Sequence, residues 1–283
     1  MTNENNMERV RGTIQDFIKS TIQEGRYDGA LVGLSGGIDS ATTAYLAVNA
    51  LGRDKVLGLT LTFPHQRQND LEDALEIGEA LSIKHEQVNL DKIMQDFSNL
   101  RDKHGFRVID SDLELFERIN SVISLSMADE RDYAILSSTN KTEFLTSFYS
   151  IGGNIGHIFP LAELYKTEVR DLARILGVPK KIIEKKSTDG FTIRRSDEEI
   201  LGISYEDIDK VCYMLESGES PDEIQKRSRI NMEIIKDIQK RIKDSERKLS
   251  FPTCKVYIPG REKSLPYLPK PKKATRVTRY YGG

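Results

Sequence analysis

Ala30-Leu31-Val32-Gly33-Leu34 runs directly into Ser35-Gly36-Gly37-Ile38-Asp39-Ser40 and then into Ala41-Thr42-Thr43-Ala44-Tyr45-Leu46-Ala47. The first run is apolar and short, as a buried strand is, and the last has the composition of a helix. Between them, Gly36 and Gly37 open backbone conformations closed to other residues, so that successive N–H groups can point at one anion. The helix start adds its own unpaired donors and a partial positive charge. This is the geometry of a phosphate-binding loop. Asp39 is the odd member, because a carboxylate beside a phosphate is repulsive unless a cation such as Mg²⁺ lies between them. The plain alternative is a tight turn in which Ser35 or Ser40 caps the helix.

Outward from the loop, strands and helices alternate. Val10, Ile14, Phe17, Ile18 and Ile22 follow helical spacing up to Gly25, preceded by polar residues 1–6 that read as disordered. Residues 55–63 read as a second strand stopped by Pro64, 71–81 as a helix, 86–90 as a third strand, and 92–100 and 112–129 as helices. Tyr133-Ala134-Ile135-Leu136-Ser137-Ser138 reads as a fourth strand. The pattern predicts an α/β fold: a doubly wound parallel sheet with helices on both faces. Ligands of such sheets bind at the carboxyl ends of the strands, where Ser35–Ser40 and Ser138–Glu143 both fall. A helix over 164–176 ends at Gly177 with Pro179 beyond, and the C-terminal part is helical. There Ser204-Tyr205-Glu206-Asp207 and Ser220-Pro221-Asp222-Glu223 resemble capping boxes. The expected organisation is one domain over residues 1–250 and an extended tail over 251–283. That tail holds five of the nine prolines, and residues 255–283 carry eight basic side chains against Glu262 alone. It suits a surface or subunit contact better than nucleic acid, having no basic–aromatic motif.

Composition narrows the function classes. With 42 basic and 44 acidic residues the net charge is −2, which argues for neither a nucleic-acid nor a membrane partner. No run approaches the roughly twenty apolar residues of a membrane span. Cys212 and Cys254 stand far apart and no apolar leader opens the sequence, which predicts a reduced, cytoplasmic protein. His65, His85, His104 and His157 lack metal-ligand spacing.

A second cluster, Ser138-Thr139-Asn140-Lys141-Thr142-Glu143, follows the fourth strand. A small polar turn ending in a carboxylate suits a metal–nucleotide site, and it equally suits a helix cap with Glu143 in the first turn. Further on, Lys166 and Arg170 share one helix face at i, i+4, a spacing that solvated residues also adopt.

These blocks resemble a known family. Ser35–Ser40 is similar to the pyrophosphatase loop of N-type ATP pyrophosphatases. Ser138–Glu143, the run from Pro160 to Lys185 and the run from Ser196 to Asp209 are similar, in order and spacing, to the ammonia-dependent NAD synthetases. The resemblance covers residues 8–250 and implies an adenine nucleotide alpha hydrolase-like fold. It implies ATP and Mg²⁺ as cofactors, with Ser35, Gly36, Gly37 and Ser40 at the phosphates and Asp39 and Glu143 binding the metal. It places Thr139, Lys166 and Thr188 against ATP, Lys185 closing over the phosphates, and Leu61 and Thr62 holding adenine. Asp39, Lys166 and Lys185 would be the catalytic residues.

The implied reaction is amidation in two steps. A substrate carboxylate attacks the α-phosphate of ATP and releases pyrophosphate, and ammonia then displaces AMP. On nicotinic acid adenine dinucleotide this gives NAD; the alternative is an amide ligase of the same kind acting on another carboxylate. Implied partners are the small-molecule acid, ammonia or a separate glutaminase subunit supplying it, and a second copy in a homodimer. Three stretches depart from the family pattern. Asn120-Ser121-Val122-Ile123-Ser124-Leu125-Ser126 lacks the two arginines of Asn-x-x-Ala-Arg-x-Arg, Gly152-Gly153-Asn154-Ile155 stands for Tyr-Gly-Asp-Gly, and Thr192-Ile193-Arg194-Arg195 for aromatic-Pro-Gly-Gln.

Overall fold

The computed structural model describes residues 4–63, 67–105, 112–150, 152–153, 156–188 and 196–249. The expected tail over 251–283, Asn154-Ile155 and Thr192–Arg195 lie outside them. The described strands are β1 (Gly29–Gly33), β2 (Val56–Thr62), β3 (Lys84–Asn89) and β4 (Tyr133–Leu136). The helices before β4 are α1 (Glu4–Gly25), α2 (Ile38–Leu51), α3 (Gln68–Ala80), α4 (Asp91–His104) and α5 (Asp112–Asp129). After it come α6 (Lys141–Thr146), α7 (Lys166–Leu176), α8 (Lys180–Glu184), α9 (Asp197–Leu201), α10 (Tyr205–Glu216), α11 (Pro221–Ser228) and α12 (Met232–Leu249).

The strands make one parallel sheet in the order β3-β2-β1-β4. β1 is internal, in register Ala30↔Val56 to Gly33↔Leu59 with β2 and Gly29↔Tyr133 to Val32↔Leu136 with β4. Alternation along β1 then defines two cores. Ala30 and Val32 pack with Ile18, Ala44, Leu46, Val169 and Leu172, under α1, α2 and α7. Leu31 packs on the other face with Leu57, Leu59, Leu61, Met94 and Leu115, under α4 and α5. Burial on both faces is why β1 and β2 read as continuous apolar runs rather than as alternating ones. The edge strand β3 is polar, and its Glu86 is ion-paired with Lys84 (2.7 Å) and Arg131 (3.3 Å), which discourages further pairing. A third apolar cluster, with Tyr205, Ile208, Val211, Cys212, Ile224, Ile235 and Ile238, joins α10, α11 and α12.

Several boundaries differ from expectation, β3 running over Lys84–Asn89 and α4 over Asp91–His104 among them. α1 begins at Glu4, so residues 4–6 are helical, because Met7 continues the stripe of Val10, Ile14 and Ile18 and is 2% exposed. β4 stops at Leu136, and the Ser137 hydroxyl turns to that of Thr139 (3.2 Å). α7 starts at Lys166 and closes at Gly177 in the left-handed conformation. Both described sheet-face histidines are structural. His85 Nε2 bonds the Thr60 hydroxyl (2.9 Å), and His157 Nδ1 accepts the Ile135 N–H (2.9 Å).

Leu46 is fully buried on α2 between α1 and the sheet. Leu46→Ala should therefore destabilise the fold by about 3 kcal/mol, read as a fall in the denaturant midpoint of unfolding at an unchanged m-value.

Candidate active site

The carboxyl end of β1 delivers the chain into the Ser35–Gly37 turn. Gly36 sits at φ +76°, in the left-handed region, and a Cβ there would collide with the backbone carbonyl of Asp70 at the start of α3. Two serines brace the turn internally. Ser35 N donates to Ser40 Oγ (3.2 Å), Ser40 Oγ donates to Gly37 O (3.0 Å), and Gly37 N donates to Ser35 Oγ (3.3 Å). α2 begins directly behind, with no side-chain cap at Gly37. The amides of Ile38, Asp39 and Ser40 consequently have no acceptor within the helix, and all three residues line a cavity. Neither Ser35 nor Ser40 caps α2: the two serines hold the turn and leave the first amides of the helix for an anion.

Beside the loop lies a charged cluster. Lys166, the first residue of α7, is 1% exposed, and its ammonium is ion-paired with Asp39 on α2. Asp39 Oδ1 also accepts from Asn140 Nδ2 (2.9 Å). Asn140 caps α6 as a capping box, its Oδ1 taking the Glu143 N–H (3.0 Å) while Glu143 Oε2 takes its own N–H (3.0 Å). The cap reading of Ser138–Glu143 holds, and the same cap is what brings Glu143 to Asp39. Burial, then the Asp39 carboxylate, push the Glu143 carboxyl up to about 8. Burial alone would depress the Lys166 ammonium, but Asp39 and Glu143 outweigh it and hold it above its ordinary value. The carboxyl groups of Asp39 and Glu143 together offer hard oxygens of the kind that suit a cation.

Behind Lys166 stands Tyr205. Its ring lies 5.3 Å from Lys166 Nζ and 5.7 Å from the Arg170 guanidinium, so the i, i+4 pair does share one face, and that face is covered. Burial pushes the Tyr205 hydroxyl up, and it donates to Asp197 Oδ2 (3.1 Å). Lys185 reaches the loop from the end of α8. Its ammonium contacts Asp70 Oδ1 (2.5 Å), Asp73 Oδ2 (2.6 Å) and Gly36 O (3.3 Å). Against burial, Lys185 and Lys181 hold the Asp73 carboxyl below its usual range.

The cavity measures about 530 Å³, within the range of ligand sites. Ser35, Gly37, Asp39, Ser40, Leu61, Thr139, Glu143, Lys166, Lys185 and Thr188 all line it, so most of the expected residues meet there. Two do not. Thr62 faces away, because alternation along β2 gives the wall to Leu59, Leu61 and Phe63, and the Thr62 carbonyl already accepts from Leu90 N (2.8 Å). Gly36 turns from the cavity toward α3 and Lys185. Phe63, whose ring meets Phe116 at 4.6 Å, was legible from the period of two. Asn140 was legible from its place three residues before Glu143. Asp197 and Tyr205 had no local signal beyond their block. A second wall runs along α5 through Glu117, Asn120 and Ser124 to Ser147–Ser150. Among the described residues, no group of three or more His, Cys, Asp or Glu side chains gathers as a metal site.

Comparison with known proteins bears on this arrangement. The NAD synthase family model matches residues 10–252. An NH(3)-dependent NAD(+) synthetase of Pyrococcus furiosus is 36% identical over 249 residues, spanning 87% of this chain and 94% of that protein. One from Methanocaldococcus jannaschii is also 36% identical, over 87% of this chain and 96% of its own. Among solved structures, an NMN synthetase from Francisella tularensis superposes with a TM-score of 0.76 at 23% identity, covering 90% of this chain and 98% of that one. An NH3-dependent NAD synthetase from Campylobacter jejuni does so with a TM-score of 0.73 at 23% identity, over 88% and 99%. These two carry the fold alone. The sheet, the loop behind β1 and the match over residues 10–252 agree: the chain belongs to the NAD synthase family.

Proposed function

We propose that this chain amidates the nicotinate carboxylate of nicotinic acid adenine dinucleotide with ammonia, consuming ATP and giving NAD, AMP and pyrophosphate. The observation that carries the reading is the meeting, in one cavity, of the loop amides of 38–40 with the buried Lys166–Asp39 pair and Glu143. The names and near end-to-end span of the relatives support ammonia as the nitrogen source, free or from a separate glutaminase subunit.

In this reading Ser35, Gly37, Ser40 and the first amides of α2 hold the phosphates that leave as pyrophosphate, stabilising charge as it develops. Lys185 sits beside the same loop and turns to those phosphates. Thr139 and Thr188 orient the nucleotide, and adenine lies along Leu61 with Phe63 beside it. Lys166, fixed by Asp39 and backed by Tyr205, faces the α-phosphate. A carboxylate oxygen attacks that phosphorus, the bond to the bridging oxygen breaks, and pyrophosphate departs. The ammonia lone pair then attacks the acyl carbon, AMP leaves with the bonding electrons, and the nitrogen loses a proton. Asp39 and Glu143 would hold Mg²⁺, which when bound would offset the charge of the triphosphate; carboxylate oxygens are hard ligands of the kind that ion takes. No protein nucleophile is needed, and the described free cysteine, Cys212, is buried with its thiol pushed up to about 12 by burial.

A homodimer is supported by Val122 and Leu125, apolar side chains of α5 that are 65% and 40% exposed beside the second wall. A cytoplasmic setting suits a free thiol. No helix of the described residues is long and apolar enough to cross a membrane.

Incubated with ATP, Mg²⁺, ammonia and nicotinic acid adenine dinucleotide, the protein should release AMP and NAD in equal amounts. AMP without NAD would assign a different acid, and neither product would refute the reading. Asp39→Asn should slow pyrophosphate release by at least about 100-fold while circular dichroism stays native, since it removes the partner of Lys166 and a metal ligand at once. Turnover near wild type in that variant would refute the role given to Asp39.

A further inference from the structure

Asp209 is a buried carboxylate on α10, 5% exposed, that does not line the cavity. Its two oxygens reach two other helices. Oδ1 accepts from the Thr142 hydroxyl (2.5 Å), one residue before Glu143 on α6. Oδ2 accepts from Thr167 N (2.9 Å), one residue after Lys166 on α7. Thr142 Oγ1 in turn accepts from Lys166 N (2.9 Å). The bonds close a ring: Asp209, Thr142, Lys166, Thr167 and back to Asp209. Thr142 adjoins Glu143, Thr167 adjoins Lys166, and Lys166 itself belongs to the charged cluster.

A carboxylate suits this junction because it offers two acceptors in different directions and makes charge-assisted bonds. An apolar residue would leave the Thr167 amide and the Thr142 hydroxyl buried without acceptors. Lys141 N donates to Leu164 O (2.9 Å) and joins the same two segments once. The ring adds further ties, so the two helix starts hold a common orientation as well as a common distance.

We propose that Asp209 is a positioning residue for the reaction: it locks the starts of α6 and α7 together and so sets Glu143 and Lys166 against Asp39. The proposal rests on reading the cavity as an ATP site. Asp209 touches neither the phosphate loop nor the cavity, so its removal should misplace the cluster more than it weakens nucleotide binding.

The test compares Asp209→Ala, Asp209→Asn and Thr142→Val with Ile224→Ala, a fully buried site on α11 in the same apolar cluster but off the ring. Each is assayed well below its unfolding temperature for kcat and for KM of ATP, and its amide hydrogen exchange is mapped. Asp209→Ala should lower kcat about 100-fold with KM for ATP within about threefold, the size of effect that a misplacement of about 1 Å produces. Asp209→Asn keeps an acceptor for Thr167 and should recover about tenfold of that loss. Exchange should rise together at 141–146 and 166–170 in both variants, and Thr142→Val should add little to Asp209→Ala in the double variant. Ile224→Ala should lose stability and keep kcat. The proposal is overturned if Asp209→Ala lowers kcat no more than Ile224→Ala, or if exchange rises in α10 alone. Should Asp209→Ala not fold, Asp209→Asn and Thr142→Val are judged by the same two criteria. If the wild-type chain releases no AMP with the proposed acid, the functional reading falls and exchange alone decides the clamp.

Discussion

An ammonium buried without a counter-charge would cost several kcal/mol, and Lys166 is buried almost completely. Its pairing with Asp39 is therefore the constraint to which the surrounding structure answers. For the pair to form, α2 must start at the carboxyl end of β1 and α7 must start against it. Parallel strands joined by crossovers on both faces of the sheet place both starts on one edge. Asn140 then fills the remaining side of Asp39, and capping α6 with it draws Glu143 inward. The cost of gathering two acids and a base where water is scarce falls on stability. What results is an electrostatic field already arranged before any charged ligand arrives.

How much of this is readable in the sequence depends on the range of the interaction. The loop was legible because strand, double glycine and helix follow one another within eighteen residues, and local geometry decides their form. The four strands and most helices were legible from period and length. Lys166 was not, because the i, i+4 relation to Arg170 is the same whether a helix face meets water or Tyr205. Tyr205 and Asp209 act on residues 39 to 67 positions earlier, and only tertiary packing brings them near. The separation of Leu61 from Thr62 has a plainer cause: Leu61 lines the cavity and Thr62 does not, because neighbours on a strand face opposite ways.

The helical C-terminal part serves the sheet. α10 supplies the aromatic backing of Lys166 through Tyr205 and a buried acid at Asp209, while α11 and α12 complete its apolar seat. α9 brings in Asp197, whose contact with the Tyr205 hydroxyl joins the short helix to the cavity wall. The wall of Asn120, Ser124, Ser147 and Ser150 also carries the acids Glu114 and Glu117 of α5, and it holds none of the lysines that stand around the loop.

Lys185 carries a last consequence. An ammonium has three N–H donors, and here three oxygens surround it, those of Asp70, Asp73 and Gly36. A phosphate that takes up this lysine does so as a ligand exchange, displacing one oxygen for another. The net strength of the contact is then the difference between two ion pairs, far smaller than either. An anion held in this way is gripped and still released, because on departing it leaves behind a cation that already has partners waiting.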